Sequence, residues 1–116
     1  MMGVHAALKV EDLLNDQEEF LLGGIRFRML WTPGHTRGGA CYYLPDEKIL
    51  MSGDTLFAES VGRTDLPTGN FSDLIESITK CLLPLGDDVA VYPGHGPSTT
   101  IGHEREYNPY LNGRLV

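Results

Sequence analysis

Three side chains that could bind a metal ion follow three separate strand-like segments of the 116-residue sequence. His35 lies in a TPGHT run, Asp54 in SGDT, and His95 in PGHG. Each has a glycine beside it, and a glycine allows the backbone to approach a bound ion closely. Imidazole nitrogen and carboxylate oxygen suit zinc, iron or manganese, and a carboxylate can bridge two ions. Each residue alone is more typical of a turn, but the repeated context favours a metal site.

The strands that would position these residues are indicated by short apolar runs between turn signals. A hairpin is predicted over 20–31, with its turn at Gly23 and Gly24. Further strands are predicted over 40–44, 48–51 and 89–92. Each candidate ligand therefore follows the end of a strand, which is where α/β scaffolds present functional side chains.

Helices complete the predicted α/β unit. Apolar residues recur at helical spacing over 71–83, and Asn70 can cap the start of that helix. A last helix is expected over 101–107, with Thr99 or Thr100 as its cap. The order of strands, helix, strand and helix predicts an α/β fold.

Two segments give weaker signals. Residues 8–19 are acidic and are predicted to form a short surface helix. Residues 56–70 are predicted to be a long irregular connection, a kind of segment that is usually functional or disordered.

Composition and charge limit the class of protein. With 41% hydrophobic and 22% charged residues, the chain is typical of a soluble globular protein, and its length predicts a single domain over 1–116. The net charge of -7 disfavours binding to nucleic acid or to an anionic membrane. The sequence has no long apolar run and no export signal, so a cytoplasmic location is expected. Cys41 and Cys81 are predicted to be buried free thiols.

The motifs TPGHT (32–36), SGDTLF (52–57) and YPGHG (92–96) resemble the later half of the metallo-β-lactamase fold superfamily. The runs SVGRTDLP (60–67) and PGHGPSTTIGHEREYNPYL (93–111) are similar to its glyoxalase II-like branch, the hydroxyacylglutathione hydrolase-like proteins. The resemblance implies half of an αββα sandwich, a mixed sheet with covering helices that corresponds to the C-terminal half of such a domain.

The resemblance also implies a set of metal ligands and a reaction. His35 would be a ligand of a first metal, Asp54 the bridging catalytic carboxylate, and His95 a ligand of a second metal. The metals are usually zinc, with iron or manganese as alternatives. A hydroxide held between them would attack the carbonyl of a small thioester or ester, since metal coordination lowers the pKa of water to about 7.

One departure from the family is large. The family's His-x-His-x-Asp-His motif does not occur in this sequence, and His5 is the only histidine before Ile25. With His35, Asp54 and His95 alone, each of two ions has at most two protein contacts. We therefore expect weak or absent metal binding by the isolated chain.

The same departure affects packing. In the second arm of the hairpin, Ile25, Phe27, Met29 and Trp31 form one apolar face that needs a cover. A homodimer would supply that cover by pairing two such faces, and a missing N-terminal half would supply it equally.

Two functions from different classes remain open. The first is a metal-dependent hydrolase that acts when the missing half is present, and the second is a non-catalytic remnant that serves as a dimerisation or interaction module. Arg63 could position an acidic substrate near the metals, or it could be a structural arginine that ties down a long loop. His103, beside Glu104 and Arg105, is expected to be a solvated surface residue outside the site.

Overall fold

A six-stranded mixed sheet supports the three candidate ligands. The structure is a computed structural model that describes residues 16–65 and 68–112. The main sheet has the order β1-β2-β3-β4-β7-β8, in which β4 and β7 run parallel and the other neighbours antiparallel, while β5 and β6 form a small separate hairpin. The strands are β1 (Glu19–Leu22), β2 (Ile25–Trp31), β3 (Ala40–Leu44), β4 (Ile49–Gly53), β5 (Leu56–Phe57), β6 (Ser60–Val61), β7 (Ala90–Pro93) and β8 (Thr99–Thr100).

The hairpin of β1 and β2 has the turn that its sequence predicts. Gly23 and Gly24 both have left-handed φ angles, of 59° and 81°. A two-residue turn with positive φ at both positions matches the twist of the two strands. The hairpin predicted over 20–31 is confirmed, with Leu22 paired to Ile25.

The helical layer covers one face of the sheet. It consists of α1 (Phe71–Ser77), a π-helical turn (Ile78–Leu82), a 3₁₀ turn (Leu83–Leu85) and α2 (Ile101–Tyr107). The helix predicted over 71–83 is therefore wrong in its detail, because the α-helical winding ends at Ser77. The wider turn that follows keeps Ile78 and Leu82 fully buried.

Both predicted helix caps are present. The Asn70 side chain accepts a hydrogen bond from the Asp73 backbone N–H at 3.0 Å. The Thr100 hydroxyl accepts one from the His103 backbone N–H at 3.1 Å, which settles the choice between Thr99 and Thr100. Caps of this kind stabilise a helix by about 1 kcal/mol each.

The hydrophobic core lies between the sheet and the helical layer. Successive residues of a strand point to opposite faces, so the inward row takes one residue in two from each strand. Full burial of each such apolar side chain contributes roughly 1.5–3 kcal/mol. The core residues with little or no exposure include Leu30, Cys41, Tyr43, Leu50, Val91, Leu74, Ile78, Leu82 and Ile101.

The opposite face of the sheet is apolar and largely open. Ile25 is 42% and Trp31 is 46% exposed, and the same row continues through Met51 and Tyr92 on neighbouring strands. Met29 lies on this face but is buried, so the expectation of a fully open row is wrong at that position. Phe27 is half-buried and stacks on Phe20, so the predicted uncovered face is observed at Ile25 and Trp31.

Two further predictions need correction. The segment predicted to be irregular over 56–70 contains the β5–β6 hairpin, whose strands of two residues are too short to show an alternating pattern. Of the helix predicted over 8–19, residues 8–15 lie outside the described part of the chain, while 16–18 are not helical and Glu19 begins β1.

Cys41 and Cys81 are both free thiols. Cys41 is fully buried as predicted, and Cys81 is only partly buried. Among residues 16–65 and 68–112, no helix is both long and apolar enough to cross a membrane.

Candidate metal site

The three predicted ligands meet at one edge of the sheet. His35 lies in the β2–β3 loop, Asp54 follows β4, and His95 follows β7. Because β4 and β7 are parallel neighbours, their carboxyl ends lie side by side. Asp54 Oδ2 is 3.8 Å from His35 Nε2, and Asp54 Oδ1 is 3.7 Å from His95 Nδ1. One carboxylate therefore faces both imidazoles.

The loop that carries His35 is fixed by its backbone. The Thr32 N–H donates to the Gly39 carbonyl at 2.8 Å, which closes the loop, and the Asn70 N–H donates to the Gly34 carbonyl at 2.7 Å. Gly34 has a φ of 141°, and a Cβ at this position would collide with the backbone of Leu74. The loop therefore packs directly against the start of α1, and only glycine permits this contact.

The orientation of His35 leaves one ring nitrogen ready for a ligand. Its Nδ1 lies 2.7 Å from the Arg63 carbonyl oxygen. A carbonyl only accepts hydrogen bonds, so Nδ1 is the donor here, and Nε2 is the ring nitrogen that faces Asp54. Metal-binding imidazoles usually have this arrangement, in which the second nitrogen donates to a carbonyl or carboxylate.

Glycines also bring three segments close to Asp54. A Cβ on Gly94 would lie 3.4 Å from Asp54 Oδ1, and a Cβ on Gly62 would collide with the Asp54 carbonyl oxygen. The Gly94 N–H donates to the Gly53 carbonyl at 2.8 Å, and the Gly62 N–H donates to the Thr55 carbonyl at 3.0 Å. The segments after β4, β6 and β7 are thereby held together around the carboxylate.

His95 is the most exposed of the three, at 77% of its side chain. Its ring packs on Phe57, with 4.7 Å between the ring centroids. A cleft of about 520 Å³ lies over the site, and its walls include Phe57, Val61, Arg63 and Pro97. The site is therefore open to small molecules from one side.

A buried hydroxyl pair under the site joins two of its loops, and the sequence analysis missed it. Thr32 Oγ1 and Thr55 Oγ1 are 3.1 Å apart and form a hydrogen bond between the residues that follow β2 and β4. Cys41 Sγ lies 3.4 Å from Thr32 Oγ1. Burial raises the pKa of the Cys41 thiol to about 11, so it stays protonated at neutral pH and is a poor metal ligand. Two threonines next to the TPGH and GD motifs are the signal that could have indicated this pair.

Arg63 lies in the wall of the cleft and ties down its own loop. The guanidinium donates to Asp65 Oδ1 at 2.7 Å and to Asp65 Oδ2 at 3.0 Å, and these bonds hold the pKa of Asp65 below its usual value. Its backbone carbonyl orients His35. The structural interpretation of Arg63 thus rests on two contacts, and a role in substrate binding stays a prediction.

The two histidines left out of the site have different outcomes. His103 Nε2 lies 2.9 Å from Glu59 Oε2 on the outer side of the β5–β6 hairpin, and it does not line the cleft. The expected surface position is correct, but the ring is paired with a carboxylate. His5 lies outside the described residues.

The donor set fits two incomplete metal sites. Within residues 16–65 and 68–112, no group of three or more His, Cys, Asp or Glu side chains is placed to hold an ion. Each imidazole instead faces its own oxygen of Asp54, which offers two donors to each of two ions. A catalytic zinc ion generally has about three protein ligands, so the described residues alone do not complete a site of that kind.

Comparison with known proteins identifies a matching family model and relatives that share about half their length with this chain. A family model described as the metallo-beta-lactamase superfamily matches residues 5–103. The hydroxyacylglutathione hydrolase GloC of Haemophilus influenzae is 45% identical over 101 residues, which are 86% of this chain and 48% of that protein. The chain spans about half the length of the curated relatives it matches.

Solved structures show the same fold. The crystal structure of the BLEG-1 B3 metallo-beta-lactamase superposes with a TM-score of 0.82 at 44% identity, over 87% of this chain and 48% of that one. The crystal structure of TTHA1623 in a di-iron-bound form gives a TM-score of 0.76 at 42% identity, over 84% of this chain and 47% of that one.

Proposed function

Because this chain belongs to the metallo-β-lactamase superfamily, we propose that it supplies the C-terminal half of a metal-dependent hydrolase that acts on a small thioester or ester. The observation that carries the proposal is the position of Asp54, whose two oxygens face His35 and His95 at the base of an open cleft. A carboxylate between two imidazoles is a donor arrangement suited to a pair of divalent ions.

Three residues of this chain would hold the metal ions. His35 Nε2 and one oxygen of Asp54 would hold one ion, while the other oxygen and His95 would hold a second. Since His35 Nδ1 donates to the Arg63 carbonyl, the ring presents Nε2 to an ion without a change of tautomer. A bound ion of this kind lowers the pKa of water to about 7 and polarises a carbonyl group. Zinc is the proposed ion, and the di-iron form of a solved relative supports iron as the alternative.

The remaining ligands and the cover of the open sheet face are proposed to have one source. The relatives are about twice as long as this chain, and solved relatives with the same fold extend beyond it by a similar amount. We assign the face that carries Ile25, Trp31, Met51 and Tyr92 to a second β-sheet from the part of the relatives that this chain does not span. That part would also bring the missing metal donors.

This assignment can be tested on the chain itself by light scattering and by binding of an apolar dye. A monomer whose open face binds the dye, with less binding after Trp31→Lys, agrees with a face that awaits another sheet. A stable dimer that Trp31→Lys dissociates would show that a second copy occupies the face and would overturn the assignment.

A small thioester or ester fits the cleft better than a large polymer does. The cleft has a volume of about 520 Å³, and its lining combines the apolar side chains of Phe57, Val61 and Pro97 with the guanidinium of Arg63. The apolar walls would contact an acyl group, and Arg63 would bind an acidic substituent in exchange for its bonds to Asp65. One relative is a hydroxyacylglutathione hydrolase, which supports a thioester as the first substrate to test.

A second candidate function, an interaction module without catalysis, is favoured by one observation. The open apolar face of the sheet is extensive, whereas the described residues supply only two donors to each ion. Under this alternative, metal would neither bind at the cleft nor change the behaviour of the chain.

Metal binding to defined variants separates these functions. We expect zinc or iron(II) to bind the wild-type chain weakly in equilibrium dialysis, and His95→Ala to abolish that binding while the fold and native mass stay intact. His103→Ala is the control, because it removes a partly exposed histidine that does not line the cleft. If His95→Ala binds metal as the wild type does, the residue assignment is wrong.

A further inference from the structure

One charged side chain is fully buried at a distance from the metal ligands. Glu104 in α2 is 0% exposed. Its Oε1 accepts hydrogen bonds from the Glu59 N–H at 2.7 Å and from Asn108 Nδ2 at 2.8 Å, and its Oε2 accepts one from the Thr99 hydroxyl at 2.7 Å. Charged residues are almost never fully buried unless they are paired, and here neutral hydrogen-bond donors contact both oxygens of the buried carboxyl group.

The bonds of Glu104 converge on the turn of the β5–β6 hairpin. Glu59 lies at the tip of that turn with a left-handed φ of 57°, a conformation that a residue other than glycine rarely adopts. Asn108, which is also fully buried, donates from the same Nδ2 to the Ser60 carbonyl at 3.0 Å. Two side chains of the C-terminal segment therefore hold two consecutive backbone groups of the hairpin.

The hairpin in turn contacts both imidazoles of the metal site. On its first strand, Phe57 packs against the ring of His95 at 4.7 Å between centroids. Just after its second strand, the Arg63 carbonyl lies 2.7 Å from His35 Nδ1. A shift of the hairpin would thus change the support of both rings at once.

We propose that Glu104 is a positioning residue that, with Asn108, sets the orientation of His35 and His95 by fixing the β5–β6 hairpin. The inference rests on the proposed metal-binding function, because it concerns the site at which the metal would bind. The partners of metal-ligating histidines typically change metal affinity by about 10- to 100-fold when they are altered. Glu104 acts on the two rings indirectly, because it bonds to the β5–β6 hairpin, and the hairpin and the residues just after it supply the partners of His35 and His95.

The test compares Glu104→Met with Arg105→Met. Methionine fills much of the volume of either side chain but accepts no strong hydrogen bond. Arg105 is the matched control, because it lies on the same helix but ties α2 to Asp87 and to the Leu83 carbonyl rather than to the hairpin. A purely structural role in anchoring α2 would make the two substitutions alike.

The first readout uses the metal-free chain and is independent of the proposed function. In nitrogen-15 NMR spectra of the histidine rings, wild type and Arg105→Met are expected to show His35 with its proton on Nδ1. Glu104→Met is expected to shift the His35 and His95 ring signals and to give a mixture of His35 tautomers. Glu104→Gln, which keeps an acceptor for the Glu59 N–H, is expected to restore most of the wild-type spectrum.

The second readout is the affinity for zinc, which Glu104→Met is expected to weaken relative to Arg105→Met, with the about 10- to 100-fold effect of altering a direct histidine partner as the upper limit. If Glu104→Met does not fold, Asn108→Leu tests the other anchor of the hairpin, since it removes the bonds of Asn108 to the Ser60 carbonyl and to Glu104 and leaves the Glu59 bond in place. Ring signals that stay unchanged in the folded variant, or that Arg105→Met changes equally, would overturn the inference. A wild-type chain that binds no zinc would contradict only the expected weak binding by the chain alone, because the metal-free spectra still decide the role of Glu104.

Discussion

The substitution Gly62→Ala adds a single methyl group at a position where it should disturb the candidate metal site. A Cβ there would collide with the Asp54 carbonyl oxygen and would lie 3.4 Å from the Cβ of His35. The colliding atom belongs to the backbone, so it cannot rotate away as the end of a flexible side chain would. The substitution Gly62→Ala must therefore push the segment after β6 away from Asp54, and the Arg63 carbonyl would move with it.

The size of the effect follows from this collision. An extra methyl group in a tightly packed position costs about 1–3 kcal/mol of folding free energy. Displacement of the Arg63 carbonyl weakens the hydrogen bond that orients His35, and such a change lowers metal affinity by about 10- to 100-fold. Gly62→Ala should therefore lower both the free energy of unfolding and the affinity for zinc.

Gly38 provides the matched control. It lies in the same loop as His35, but a Cβ there would meet no atom within 4 Å, and its φ is not left-handed. Gly38→Ala should leave zinc affinity unchanged and should stabilise the chain by about 0.4–1 kcal/mol, because alanine restricts the unfolded state. Urea denaturation and zinc titration of both variants give the comparison. Equal stability and equal affinity of the two variants would refute the packing argument.

Three further outcomes are expected. Thr32→Val should destabilise the chain by about 1–3 kcal/mol in urea denaturation, since it leaves the buried Thr55 hydroxyl without its partner. A change below about 0.5 kcal/mol, which is the scatter of surface substitutions, would contradict this expectation. Cys81 should react with iodoacetamide in the native chain well before Cys41, because Cys41 is buried and burial raises the pKa of its thiol to about 11. Mass spectrometry of the labelled peptides gives the order of reaction, and earlier labelling of Cys41 would contradict its burial. The hydrogen bond from Lys48 lowers the pKa of Asp88, so its contribution to stability is present above the unfolded pKa of about 3.9 and is lost as the pH falls through the lower folded value. Asp88→Asn should accordingly be less stable than wild type at neutral pH and equal to it in strong acid, and a difference that persists in acid would rule out the ion pair as its cause.

The main elements and the meeting of three candidate ligands could be predicted because their signals are local. Two adjacent glycines specify the turn of the first hairpin, and Asn70 specifies the start of α1 by capping it. His35, Asp54 and His95 each follow a strand, so they converge once the strands form one sheet. The prediction of this convergence rests on where the three residues lie relative to the strands, since they are far apart in the sequence.

The features that sequence reasoning missed depend on contacts between distant segments. The bond from the Glu59 N–H to Glu104 joins residues 45 apart, and the pair of Thr32 and Thr55 joins residues 23 apart. Neither pair has a periodicity or a motif of its own. The β5–β6 hairpin was missed for a related reason, since strands of two residues are stabilised by the C-terminal segment rather than by their own composition.

The most direct test of the central claim is anomalous scattering from crystals of the chain soaked in a zinc salt. The structure predicts zinc peaks at the cleft, within about 2.0–2.2 Å of His35 Nε2 or of a His95 ring nitrogen and of an Asp54 oxygen. Peaks bound only by other residues, or a cleft without zinc at millimolar soaking concentrations, would contradict the claim that these three side chains form one metal site.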